Sequence, residues 1–214
     1  MLEDLRRFVY EMHLELPKNN LVVSTSGNAS AIDRHTGYVV IKPSGVAYDE
    51  LTPNSLVIVD LNGKIVEGDL KPSVDCETHL RIYKDNSSVG GIVHTHSPFA
   101  TAFAVHGREI PVICTAMADE FGAPIPCAPY QAVGGDGIGR IVASYSNQSP
   151  VVLLERHGLF STGKDLKTAI KRAIIAEDIA RLAIYSNLLG PLSAMSDELV
   201  KRAHDVYISN YGQG

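Results

Sequence analysis

Residues 90 to 100 read GGIVHTHSPFA, an apolar run that ends on two histidines separated by one threonine. No other stretch constrains the chain as much. In a strand alternate side chains share a face, so His94 and His96 point the same way and Thr95 points to the other side. Ser97-Pro98 then stops the strand and forms an N-cap and first-turn pair for a helix through PFATAFAVH. The imidazole pair is thereby expected at the end of a strand, where α/β folds commonly place ligand sites.

The elements around this strand are mixed in order rather than blockwise. A first helix is expected over MLEDLRRFVYEMHLELPK, followed by short β-branched runs LVVST, YVVIKPS and LVIVD. Asn62-Gly63 before KIVEG is a strong hairpin signal, and this half reads as a meander. SVDCETHLRIYKD has a helical pattern, with Ser73 or Asp75 available as N-cap. After GGIVHTH and its helix come a loop-rich stretch through PVICTAMADEFGAPIPCAPY, a helix near DGIGRIVASYS, and a strand VVLLE ending at Arg156-His157-Gly158. Two helices close the chain: DLKTAIKRAIIAEDIARLAIYSNLLG, ended by Gly190-Pro191, and SDELVKRAHDVYISN, with Ser196 and Glu198 as its cap. Without an internal repeat, low-complexity segment or linker, residues 1–214 are expected to form one α/β domain.

Composition narrows the function classes. Hydrophobic residues make up 45% of 214 positions, enough for a sizeable core. Nineteen basic against 24 acidic residues, and no basic run longer than two, argue against a nucleic-acid-binding surface. Neither a signal peptide nor a membrane-spanning segment is expected, because charges interrupt every apolar stretch. Cys76, Cys114 and Cys127 lack paired-ligand spacing and fit reduced thiols in a cytoplasmic protein.

A zinc-type site takes three or four N, S or O ligands, and a catalytic one keeps a position open. His94 and His96 supply two. His157 is the natural third, since VVLLERHG repeats the form of IVHTHS, an apolar strand ending on histidine at a turn. Two such strand ends could lie side by side. Asp75 or Glu77, at the start of the preceding helix, could add a fourth ligand, a base or only a cap. The plainer alternative is unrelated histidines beside strand ends. A second group of residues is set in short loops: Ser24 to Asn28, Lys42-Pro43-Ser44-Gly45 and Lys71-Pro72-Ser73. Glycine turns, hydroxyls and a lysine suit a phosphate monoester, although each loop alone is an ordinary turn. GGDGIG at 134 to 139 lacks the preceding strand of a dinucleotide fingerprint.

Several motifs in order, SGNASAIDR, VIKPSGV, VEGDLKPSVDCETH, GGIVHTHS, MADEFG, IPCAPY, RHG and the closing NYGQG, together with MLEDLRR and LPKNNLV at the start, resemble the class II aldolase/adducin family. The likeness runs nearly end to end and is strongest to the L-ribulose-5-phosphate 4-epimerase branch. It implies a central, largely antiparallel sheet with helices on both faces. It further implies a homotetramer with sites between subunits, acting on a phosphorylated ketose. By resemblance His94, His96 and His157 are ligands to a divalent metal, usually Zn2+, with Mn2+ or Co2+ as alternatives. Asp75 stands where the family has an acidic residue at the metal. Asn28, Ser44, Gly45 and Ser73 correspond to phosphate contacts, with Lys42 close by. Asp119 and Tyr211 match the epimerase's acid/base pair, the tyrosine reaching in from a neighbouring subunit.

That chemistry is coherent. Breaking the C3–C4 bond of a 2-ketose leaves an enediolate, whose charge a divalent ion stabilises. An acid/base group takes the C4 hydroxyl proton and later returns one, and two such groups on opposite faces serve both configurations. The sequence also departs from the epimerase pattern. Val74 replaces a second serine after KPS, Met117 and Glu120 stand where the epimerases have histidine and tyrosine, and IPCAPY with a short middle resembles L-fuculose-1-phosphate aldolases. An aldolase releasing dihydroxyacetone phosphate is therefore the alternative; a zinc hydrolase and a non-catalytic adducin-like module are lesser ones. His79 is expected to be a packed or supporting histidine, Glu77 solvent-facing, and His13, His35, His106 and His204 surface or structural.

Overall fold

A computed structural model describes residues 2–145 and 148–210 of the chain. Eight strands form a single sheet in the order β4-β3-β2-β1-β5-β8-β7-β6. They are β1 (Asn28–Asp33), β2 (Tyr38–Ile41), β3 (Val57–Val59), β4 (Ile65–Glu67), β5 (Gly91–Thr95), β6 (Cys127–Ala128), β7 (Val151–Leu154) and β8 (Gly158–Gly163). Every neighbouring pair is antiparallel except β6 with β7. The expected meander is present as β1 to β4, and Gly63, at φ +83°, occupies the turn before β4 that only glycine adopts without strain.

Helices cover both faces, as the resemblance implies. On one face α1 (Glu3–Lys18), α3 (Pro98–Val105) and α6 (Leu166–Leu189) bury Val9, Leu16, Ala100 and Ile170 against Ala29, Ala31, Val40, Val93 and Leu159. On the other, α2 (Cys76–Asp85) and α5 (Gly137–Tyr145) bury Leu80, Tyr83, Ile138 and Val142 against Val39, Ile41, Ile92 and Phe160. Adjacent strand residues fall into opposite cores, which is the period-two alternation of a sheet buried on both sides. Two further helices, α4 (Thr115–Phe121) and α7 (Asp197–Asn210), pack on each other beside α6. Among the described residues no helix is long and apolar enough to cross a membrane.

Three local expectations are corrected. LVVST is not a strand: Ser24 takes φ +57°, and residues 21 to 27 form a loop held by Ser26 Oγ on Val23. The strand begins at Asn28, in a small-residue segment of low β propensity that gains its ladder from β2 and β5. The loop-rich stretch contains α4 and β6. The strand ending at His157 does not lie beside β5; an additional strand, β8, turns back after His157 and pairs with β5.

Candidate functional site

His94 is placed by sheet register. It pairs with Asn28 of β1 on one side and Phe160 of β8 on the other, and its ring stacks on Phe160 at 4.2 Å between centroids. His96 follows β5 on the short link to α3. His157 belongs to the tight turn joining β7 to β8, where Arg156 adopts φ +58° and its N–H donates to Ala104 O of α3. Antiparallel pairing of β8 with β5 brings that turn to the end of β5. The three rings then form a triangle with centroids 4.8, 4.9 and 5.1 Å apart.

Their donor atoms all lie within 4.8 Å of one another. His94 Nδ1 donates to Leu159 O at 3.0 Å, which leaves Nε2 an unprotonated lone pair facing His96 Nε2 at 3.0 Å. Among the described residues His157 Nδ1 is buried with no hydrogen-bond partner. Burial pushes the His94 imidazolium down to about 3, and lowers His96 and His157 as well, so all three rings are neutral near pH 7. Neutral imidazoles with converging lone pairs, one oriented by a carbonyl behind it, are what a divalent metal takes as ligands. The cluster fits such an ion.

Gly158 makes this closeness possible. A Cβ there would stand 2.4 Å from Thr95 O and 2.8 Å from His96 Cδ2. Nothing in the motif RHG alone gives its glycine a role, although a glycine beside a ligand histidine is itself a signal of close approach.

The polar loops converge on the same place. A cavity of about 370 Å3 is lined by the three histidines, Asn28, Lys42, Ser44, Gly45, Ser73 and Asp75. The KPSG and KPS segments meet directly: Ser44 N donates to Lys71 O and Ser73 N to Lys42 O, both at 2.9 Å. Lys42 is buried, its ammonium 2.6 Å from Val46 O and 3.3 Å from Thr25 O, so it ties two of these loops together. Burial lowers its pKa. Val74, 72% exposed, lines the cavity where the epimerases have serine.

Asp75 holds the N-cap position of α2 but its side chain makes no capping bond. Its Oδ2 instead accepts Asn28 Nδ2 at 2.7 Å. Burial pushes this carboxyl up, but His94, His79 and the Asn28 hydrogen bond outweigh it and hold it below the usual carboxylate range. Asp75 thus lies in the histidine cavity, while the compact donor cluster comprises the histidines alone. His79 is fully buried, its Nδ1 2.7 Å from Ser30 Oγ, and Glu77 is exposed.

Asp119 lies elsewhere. It lines a second cavity, of about 560 Å3, between α4 and α7, with Thr115, Arg202, Tyr207 and Asn210. Met117 beside it is fully buried, and Glu120 is engaged by Lys171 Nζ at 2.7 Å. His204 of α7 donates from Nδ1 to Asp119 O at 2.8 Å and fastens the two helices. His13, also structural, is fully buried between Val9 O and Ala29 N. Tyr211 lies outside the described residues.

Known proteins agree with the sheet and the motifs. Residues 7–184 match the family model described as Class II Aldolase and Adducin N-terminal domain. The chain is similar to a solved L-fuculose 1-phosphate aldolase at 25% identity and TM-score 0.90, with 96% of each chain covered. It is also similar to YgbL from Klebsiella pneumoniae, titled a putative aldolase/epimerase/decarboxylase, at 27% identity and TM-score 0.84, covering 95% of this chain and 99% of that one. A sugar-phosphate aldolase from Thermotoga maritima shares the fold at 22% identity and TM-score 0.74, over 89% and 97%. With its sheet, its histidine corner and a family match over most of its length, the chain belongs to the class II aldolase and adducin family.

Proposed function

We propose that the chain is a metal-dependent enzyme that breaks and re-forms the C3–C4 bond of a phosphorylated ketopentose, epimerising L-ribulose 5-phosphate to D-xylulose 5-phosphate. The observation that carries the reading is the histidine corner opening into a cavity lined by serine hydroxyls, Asn28 and Asp75. A divalent ion held by His94, His96 and His157, most suitably Zn2+, would supply a Lewis acid to substrate oxygens that gain charge as the bond breaks. Asp75, kept ionised, is a base at the resting site or a further ligand. Ser44, Gly45 and Ser73 receive the phosphate, with Asn28 beside them. Asp119, outside the histidine cavity of its own chain, serves as an acid/base group for the C4 oxygen across a subunit interface of a homotetramer, partnered by Tyr211 of a neighbouring subunit. Three free cysteines fit a cytoplasmic setting.

The likeness to the L-fuculose 1-phosphate aldolase favours a second reading, cleavage with release of dihydroxyacetone phosphate and an aldehyde. A non-catalytic scaffold would have no use for three converging imidazoles. NMR of the zinc-loaded protein with L-ribulose 5-phosphate and, separately, L-fuculose 1-phosphate decides among them. Interconversion of the pentulose phosphates without fragments is expected. Dihydroxyacetone phosphate from the fuculose ester, with the ribulose ester untouched, would make the chain an aldolase.

A further inference from the structure

We propose that Glu177, on α6 and outside the histidine cavity, is a positioning residue for His96 and so for the metal; this rests on the metal reading of the three histidines. The three rings are held by different means. His94 is fixed by sheet register and by Leu159 O, and His157 by a three-residue turn. His96 has neither. Among the described residues its ring's one polar contact is the His94 Nε2 lone pair at 3.0 Å, which does not hold it, so its place depends on its backbone.

That backbone is the link between Thr95, the end of β5, and Pro98, the first residue of α3. A ligand on so short a link goes where the first turn of α3 goes. Ser97 occupies the N-cap, yet its side chain makes no capping bond; its Oγ receives Thr95 Oγ1 at 3.3 Å instead. The open amides of the turn are taken by Glu177, whose two carboxylate oxygens accept Phe99 N at 2.9 Å and Ala100 N at 2.8 Å. Glu177 is 8% exposed. A buried carboxylate gripping two successive amides fixes both the position and the rotation of the turn, and its charge suits a helix N-terminus. From the opposite side Gly158 backs the His96 ring with no room for a methyl group. The third imidazole therefore stands between a hairpin turn and a helix start that a distant carboxylate pins.

Glu177→Gln keeps the size but replaces one acceptor with a donor facing an amide. The test is Co2+ and Zn2+ affinity together with the visible absorption of the cobalt-loaded protein, in the wild type, Glu177→Gln and Asp165→Ala. Asp165 caps the same helix through Thr168 N at 2.7 Å and lies beside Gly91, at the far end of β5 from the histidines, so its loss lowers stability without touching His96. Metal affinity about ten- to a hundredfold weaker in Glu177→Gln is expected, with an altered cobalt band. Asp165→Ala should melt earlier yet bind as the wild type does. If Glu177→Gln does not fold, Glu177→Asp keeps the charge but draws the carboxylate back from the two amides, and is read the same way. Wild-type affinity and spectrum in the glutamine variant overturn the proposal, and so does an equal loss in Asp165→Ala. A wild-type protein that takes up no metal overturns the metal reading along with it.

Discussion

The histidine cavity and the cavity beside Asp119 are built from different material. The histidine cavity stands on strand ends and turns: register places His94 against Asn28 and Phe160, the β7–β8 turn delivers His157, and hydrogen bonds between the two lysine-proline loops bring Ser44 and Ser73 together. The cavity beside Asp119 lies between two helices and is lined largely by apolar side chains, among them Leu199 and Val206, which are more than half exposed. A sheet fixes its side chains without help from outside. A pair of helices presenting apolar groups to solvent has room for a further surface. On the proposed function the first region binds the metal and the second supplies Asp119 for proton transfer, and variants can separate them.

The largest effect is expected from His94→Ala, which removes the central ring. Metal affinity should fall by more than the roughly 10–100-fold that changes behind a ligand cost, and turnover should vanish with it. Metal analysis of the purified variant is the check. Asp119→Asn should do the reverse: kcat lower by about 10²–10⁴, the usual worth of a general acid or base, with metal content and affinity unchanged. If both quantities fall together, the two regions are not separable. Gly158→Ala comes next. The clash with Thr95 O and His96 should cost about 1–3 kcal/mol in denaturant unfolding and should weaken metal binding, while leaving the α4–α7 side intact.

Acid should destabilise the strand side. Burial holds His13, hydrogen-bonded to Ala29 of β1, down to about 4, against an unfolded value of about 6.5. Between these pH values the unfolded chain binds a proton that the folded chain does not, so stability rises with pH across this window. The contribution is complete above about pH 6.5 and lost as pH falls toward 4, a matter of about 3 kcal/mol. Melting temperatures of the metal-free protein should fall across that range, and His13→Gln should flatten the slope by about one proton. The smallest effect is Val74→Ser. One hydroxyl restored to the cavity is worth about 0.5–1.5 kcal/mol, a few-fold lower KM for a sugar phosphate, with kcat little changed.

The sequence made some of this plain and hid the rest for physical reasons. His-x-His after an apolar run, and histidine at the next strand end, required only period-two geometry. What joins them was not visible. GLFSTG, bounded by glycines and filled by Ser161 and Thr162, carries no strand signal of its own, yet it is a strand buried on both faces, with Ser161 Oγ donating to Ala169 O at 2.7 Å. LVVST misled in the opposite direction: its β-branched residues suit a strand, but Asn20 and Ser24 both take positive φ. Asn28 to Asp33 is a strand because β2 and β5 flank it, a tertiary decision that outranks propensity. The short α4 was missed because no side chain caps its start, although Gly122 at φ +64° marks its end. Asp75 at the N-cap position looked like a cap, and only the structure shows its carboxylate held by Asn28 instead.

The histidine corner is the proposed metal centre. Elemental analysis of the wild type after dialysis against trace Zn2+, beside His157→Ala treated identically, tests it most directly. One ion per chain is expected in the wild type and a large loss in the variant. No bound metal in the wild type, or equal metal in both, would contradict it.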